Sequence, residues 1–239
     1  MVIVSLFAEP FDYHDADVPL AGVLTGDDAG PPDRPGILLI HGGAGLDDHA
    51  RSQARRYAEL GYLVLAADMF GPGVAGDRDR LVSLLTGLRD EPARLAQRGR
   101  AGLTALAGRT GGPLAVIGFC FGGMAALTLA RSGAPLAAAV SIHGTLTTTA
   151  PAEPGAVRAR VLACHGARDP YVPFEHLAAF AAEMDAAGAD WQANVYGDAE
   201  HGFTHAHAVP GAMAGVTYQA EADERSFADV RALLAATLT

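Results

Sequence analysis

The sequence predicts an α/β fold: a mostly parallel, doubly wound sheet with helices on both faces. Three observations lead there. Short apolar runs alternate with helix-length patterned segments from about residue 36 to the end. The runs are continuously apolar rather than alternating, which is the pattern of strands covered on both sides. Glycine and proline punctuate the joins, and the longer Pro/Gly-rich stretches, 30–36 and 150–155, are short enough to be loops. With 239 residues, half of them hydrophobic and 18% charged, the chain can bury one large core. A single domain over 1–239, without a cap domain, is expected.

The elements follow in order. Residues 2–7 and 18–25 predict an antiparallel edge pair at the N-terminal side, joined by a turn near 12–17. Residues 37–40 form a buried strand started by Gly36. A helix over 49–60 is closed by Gly61, and 62–67 is the next strand. Residues 78–108 read as largely helical and hold six of the arginines. A strand over 113–118 and a helix over 124–130 flank a glycine-rich hexapeptide. Strands at 136–142 and 160–165, a helix at 173–187 ended by Gly188, a strand at 191–196 and a helix at 220–236 complete the chain.

Several functions are excluded by composition. The formal net charge is -10 and no Lys/Arg run occurs, so no nucleic-acid partner is expected. No stretch approaches the ~18–20 apolar residues of a membrane span, so no membrane partner is expected either. The first residues lack the basic and apolar regions of a signal peptide. Two cysteines do not build a disulfide framework. A reducing cytoplasm, which also preserves a reactive thiol, is the expected location, with the chain a monomer or homodimer.

The hexapeptide Gly118-Phe119-Cys120-Phe121-Gly122-Gly123 carries the chemistry. Strand, tight turn and helix make a nucleophile elbow, with cysteine where serine usually stands. Flanking glycines allow the close approach of strand and helix that such a strained turn requires. The helix start aims unpaired N–H groups and its positive dipole end at the sulfur, favouring the reactive thiolate.

Two further groups fall beyond the carboxyl ends of strands, where doubly wound sheets place their sites. Asp169 lies in His165-Gly166-Ala167-Arg168-Asp169-Pro170, and His201 in Asp198-Ala199-Glu200-His201-Gly202-Phe203. Nucleophile, acid, histidine is the chain order of the α/β-hydrolase fold. The expected roles are Cys120 as nucleophile, His201 as general base and acid, and Asp169 as the group that orients the imidazole. The backbone N–H groups of Phe121 and Gly43 are the expected oxyanion donors, Gly43 lying in His41-Gly42-Gly43-Ala44-Gly45 after the 37–40 strand. Gly42, Arg78, Arg80, His143, Phe203 and His205 are candidates for substrate binding, with the two arginines in a site-facing loop. His41, Cys164 and His165 read as structural. No carboxylate motif accompanies His201, His205 and His207, so neither metal nor cofactor is expected.

These pieces resemble the dienelactone hydrolase family. The matching segments are the cysteine elbow, His165-Gly166-Ala167-Arg168-Asp169-Pro170-Tyr171-Val172-Pro173, His201-Gly202-Phe203-Thr204 and Ser141-Ile142-His143-Gly144. The resemblance implies hydrolysis of small carboxylic esters or lactones by a Cys-His-Asp triad through an acyl-thioester, without metal or organic cofactor. Dienelactone hydrolases proper carry a glutamate just after the strand equivalent to 37–40, where this chain has Gly42. They carry an arginine shortly after the catalytic histidine, where it has His205. The chain therefore reads as a broader relative. Acyl transfer to another acceptor, and a non-catalytic ligand-binding or redox-sensing relative, are the alternative readings.

Overall fold

The computed structural model describes residues 5–74, 77–206, 208, 211 and 213–238. One eight-stranded sheet organises them, in the order β1-β2-β4-β3-β5-β6-β7-β8. The strands are β1 (Leu6–Asp15), β2 (Val18–Asp27), β3 (Gly36–Ile40), β4 (Leu63–Ala67), β5 (Leu114–Phe119), β6 (Ala138–Ile142), β7 (Arg160–Gly166) and β8 (Trp191–Tyr196). From β4 to β8 the ladder is parallel throughout. The β1–β2 hairpin joins it antiparallel, through β2 on β4. This is the α/β-hydrolase fold.

Among the described residues six helices cover the sheet: α1 (Asp48–Ala58), α2 (Arg78–Asp90), α3 (Pro92–Ala107), α4 (Phe121–Arg131), α5 (Phe174–Ala186) and α6 (Ala220–Thr237). The two-residue period of the strands sorts side chains between two cores. Ile37 and Leu39 of β3 pack with Tyr57 of α1 and Leu234 of α6. Leu38 and Ile40 face the other way, toward Leu103 and Leu106 of α3, Leu127 of α4 and Phe180 of α5. All four β3 side chains are fully buried, and each contributes about 1.5–3 kcal/mol by leaving water.

Two sequence expectations are corrected. The first strand runs Leu6–Asp15, not 2–7, and the turn is confined to Ala16 and Asp17; residues 2–4 of the expected strand lie outside the described residues. Pro10 lies within β1, the sheet edge, where proline is tolerated. The 78–108 segment is two helices, broken at Glu91. Pro92 disfavours helical backbone at the preceding residue and itself opens α3.

Because the strands of the central sheet are parallel, their carboxyl ends share one edge. The chain leaves β3 toward β4 and leaves β5 toward β6, in opposite directions along the sheet. The resulting crevice opens between the ends of β3 and β5.

Candidate active site

Cys120 follows β5 directly, with φ 52 and ψ -113, and starts α4. Its N–H donates to the Ile142 carbonyl at 3.0 Å. Only glycine permits the packing around it. A Cβ built at Gly118 would fall on the carbonyl of Gly122, and one built at Gly122 would fall on the Ile40 carbonyl oxygen. The elbow thus presses α4 onto both its own strand and the end of β3.

His201, in the loop after β8, reaches the sulfur: Nε2 lies 3.1 Å from Cys120 Sγ. Its Nδ1 lies 2.8 Å from Asp169 Oδ2. The other carboxylate oxygen of Asp169 accepts the N–H groups of Tyr171 at 2.8 Å and Val172 at 3.2 Å. Asp169 is buried, and His201 nearly so. The sequence scatters the three residues over 82 positions; the parallel strand ends bring them into one chain of contacts.

The electrostatics follow the geometry. Burial pushes the Cys120 thiol up, but the His201 hydrogen bond and charge, with backbone hydrogen bonds from Phe121 and Gly43, outweigh it and hold the group below the ordinary thiol range. Burial pulls His201 down. The bond to Asp169 and the contact with Cys120 more than reverse this and raise it to about 10. Both shifts favour the thiolate–imidazolium form of the pair over the neutral one.

The remaining candidates fall in different places. A Cβ at Gly42 would lie 3.7 Å from the Cβ of Cys120, so Gly42 borders the sulfur-bearing residue. His205 is partly exposed and stacks on His49 with ring centroids 3.8 Å apart. His143 and Phe203 are corrected: both are fully buried and pack on each other behind His201, with centroids 5.1 Å apart. They border the site in sequence, but their rings point into the protein. Arg78 and Arg80 are corrected too. They lie in the exposed first turn of α2, not in a loop, because Asp77 caps the helix by accepting the Arg80 N–H at 3.0 Å. His41 shapes its loop as expected: Nδ1 donates to the Gly42 carbonyl at 2.7 Å, and Nε2 accepts from Met69 N–H at 3.2 Å. Cys164 is buried beneath Tyr196, whose hydroxyl lies 3.4 Å from its sulfur. His165 is also buried.

Three neighbours were not singled out from sequence. The Tyr171 ring stands edge-on to His201, centroids 5.3 Å apart, and its hydroxyl donates to the Ala214 carbonyl at 2.6 Å. Thr204 lies between two histidines. Leu85 of α2 overlies the glycine loop, 3.1 Å from where a Cβ of Gly43 would stand. Tyr171 and Thr204 sit inside the segments that carried the resemblance; Leu85 had no signal beyond the apolar face of its helix. Among the described residues no three His, Cys, Asp or Glu side chains gather as a metal site. His207 lies outside those residues.

The model of the dienelactone hydrolase family matches residues 20–238. The chain belongs to the dienelactone hydrolase family. It is a hydrolase of the α/β fold, and among its described residues no helix is long and apolar enough to cross a membrane. Among solved structures, m3DLH is 38% identical, with a TM-score of 0.90 over 98% of this chain and 99% of that one. A dienelactone hydrolase-like promiscuous phosphotriesterase, P91, from metagenomic libraries is 36% identical, with a TM-score of 0.92 over 98% of this chain and 100% of that one. The dienelactone hydrolase of Anabaena variabilis shares the fold at 19% identity, with a TM-score of 0.71 over 98% and 99%. No curated protein sequence matches the chain. Against dienelactone hydrolases proper, Gly42 leaves the loop beside Cys120 without a carboxylate. Asp47, the first acid after it, is instead the N-cap of α1.

Proposed function

We propose that this hydrolase cleaves small carboxylic esters or lactones, with Cys120 as nucleophile. The observation that carries the reading is the unbroken run of contacts Cys120–His201–Asp169, at 3.1 and 2.8 Å, with the N–H groups of Phe121 and Gly43 on the same sulfur. The Cys120 thiolate attacks the carbonyl carbon, and the negative charge moves to the carbonyl oxygen. Donors that hold the resting sulfur are then in place for that oxygen. His201 gives its proton to the leaving alkoxide as the carbon–oxygen bond breaks, leaving an acyl-thioester on Cys120. In a lactone the alcohol stays tethered to the acyl group. The now neutral His201 takes a proton from water, which attacks the thioester and releases the acid. Asp169 keeps the imidazole in the required tautomer and stabilises its charged form.

The test is turnover of a panel of aryl esters, short acyl esters and lactones by the native chain and by Cys120→Ala. The native enzyme should cleave members of the panel and the folded variant none; equal turnover by both ends the proposal. The native pH profile of kcat/KM is a second expected result. Activity should be lost as pH falls through the lowered Cys120 value, because the thiolate is protonated. It should also be lost as pH rises through about 10, because His201 then has no proton for the leaving group. A profile that begins to rise only in the ordinary thiol range contradicts the ion pair.

One observation favours a second reading, phosphotriester hydrolysis at the same sulfur: the 36% identity to the promiscuous phosphotriesterase. Adding an aryl dialkyl phosphate to the panel tests it, with loss in Cys120→Ala as the expected result.

A further inference from the structure

Two residues at the carboxyl edge of the parallel strands take positive φ although they bear side chains: Cys120 (φ 52) and His143 (φ 41). The elbow explains the first. Nothing in the elbow requires the second, and such a conformation costs on the order of 1–3 kcal/mol, tolerated only where the surroundings impose it. Its consequence is a direction. The His143 ring enters the protein, fully buried, and stands edge-on to His201 with centroids 5.3 Å apart. Its Nε2 lies 2.9 Å from Thr204 Oγ1.

The same hydroxyl oxygen lies 3.0 Å from Nε2 of His49, on α1. Thr204 is itself buried. One hydroxyl therefore joins the end of β6, the start of α1 and the loop that carries His201. A hydroxyl has one proton. It gives that proton to one Nε2 and accepts from the other, so the two rings play complementary roles toward it. Burial first, then the neighbouring His201, His205 and His49, push His143 well below the ordinary histidine range. His143 thus stays neutral beside an imidazole that is charged, and a neutral ring can pack against an imidazolium without repulsion.

We infer that His143 and Thr204 are positioning residues: the Thr204 hydroxyl locks the His143 ring against His201 and thereby holds the His201 plane in contact with Cys120 and Asp169 together. This rests on the reading of His201 as the partner of Cys120. The need for it is mechanical. The backbone of His201 is tied to the 216–217 segment, with Thr217 N–H donating to its carbonyl at 3.1 Å, but its ring is held only end-on, at Nδ1 by Asp169 and at Nε2 by Cys120, which leaves it free to tilt. A second ring, Tyr171, flanks it, but that side chain is 46% exposed and its anchor is a loop carbonyl. The buried contact on His143 is the firmer of the two.

Thr204→Val keeps the volume and removes the hydroxyl; Thr204→Ser keeps the hydroxyl. Two quantities are read: kcat and KM on an ester that the native enzyme cleaves, and the pH midpoint of Cys120 alkylation by iodoacetamide. Thr204→Val should lower kcat about tenfold to a hundredfold with KM within about twofold, as for a misplaced catalytic group. Its alkylation midpoint should rise by about one pH unit, because a loosened imidazole stabilises the thiolate less. Thr204→Ser should restore both. If Thr204→Val does not fold, His143→Phe, which keeps a ring but loses Nε2, carries the same expectation. A folded Thr204→Val or His143→Phe with native kcat and native midpoint overturns the inference, as does a Thr204→Ser as impaired as the valine variant. The alkylation midpoint needs no substrate, so it reports on the positioning even if the ester reading itself fails with Cys120→Ala.

Discussion

Asp169→Asn should reduce kcat by about four orders of magnitude while the protein stays folded. The size of the effect follows from which way the new amide must face. Oδ1 of Asp169 accepts two backbone N–H groups, from Tyr171 and Val172. In the variant only the amide oxygen can occupy that position, since an NH₂ group there would meet two donors. The amide nitrogen therefore falls at the place of Oδ2, 2.8 Å from His201 Nδ1. It is a donor, so Nδ1 must offer its lone pair and the ring proton moves to Nε2. That nitrogen faces Cys120 Sγ at 3.1 Å. A neutral imidazole with its proton already on Nε2 cannot take one from the thiol. Cys120 should lose the charge that holds it down, and its alkylation should move to higher pH. The checks are kcat and KM on the preferred ester, the alkylation profile, and a thermal melt to establish folding. A variant within tenfold of native kcat shows that the imidazole acts without Asp169.

The same geometry shows what local pattern can and cannot convey. Strand ends were legible because continuous apolar runs mark them. Parallel pairing then places every strand end on one edge, so Cys120, Asp169 and His201 were legible as a group before any coordinates. Gly43 and Phe121 followed from the two strand ends at the crevice. Side-chain direction in the loops was not legible. His143, at the end of a strand near the site, and Phe203, two residues after His201, read as substrate-facing. The φ of 41 at His143 and the course of the loop after His201 turn both inward. Those are results of packing among β6, α1 and the His201 loop, elements remote in sequence. The Thr204 hydroxyl is shared with a histidine 155 residues earlier, and no periodicity encodes that. Arg78 and Arg80 were misplaced for a smaller reason: Asp77, a good N-cap residue, starts a helix where a loop was expected. Pro10 and Pro92 mark the remaining differences, one tolerated at an edge and one opening a helix.

Gly122→Ala should be among the most damaging single-methyl changes in the described residues. A Cβ there would fall on the Ile40 carbonyl oxygen and stand 2.7 Å from that of His41. Neither atom belongs to a flexible side chain. Ile40 ends a strand with no solvent exposure, and Gly122 lies in the first turn of α4, which is also buried. Relief requires α4 and the end of β3 to separate. Forced overpacking of this kind destabilises by about 1–3 kcal/mol, which a thermal or urea melt would register. The functional loss should be larger. Phe121, immediately before Gly122, and Gly43, two residues beyond His41, hold the same sulfur through their backbones. Prising the helix from the strand end moves those two donors apart. Losing one oxyanion donor typically costs about 10²–10³ in kcat. The variant should therefore remain largely folded at low temperature and lose at least that factor. Gly42→Ala is the informative comparison, since its Cβ would meet only ordinary contacts at 3.7 Å, with Cys120 Cβ and the Phe119 carbonyl. The same added methyl, on the loop after β3 that faces Cys120, should cost far less in both stability and kcat. Equal losses in the two variants would mean that the spacing between α4 and the end of β3 is not what makes Gly122 necessary.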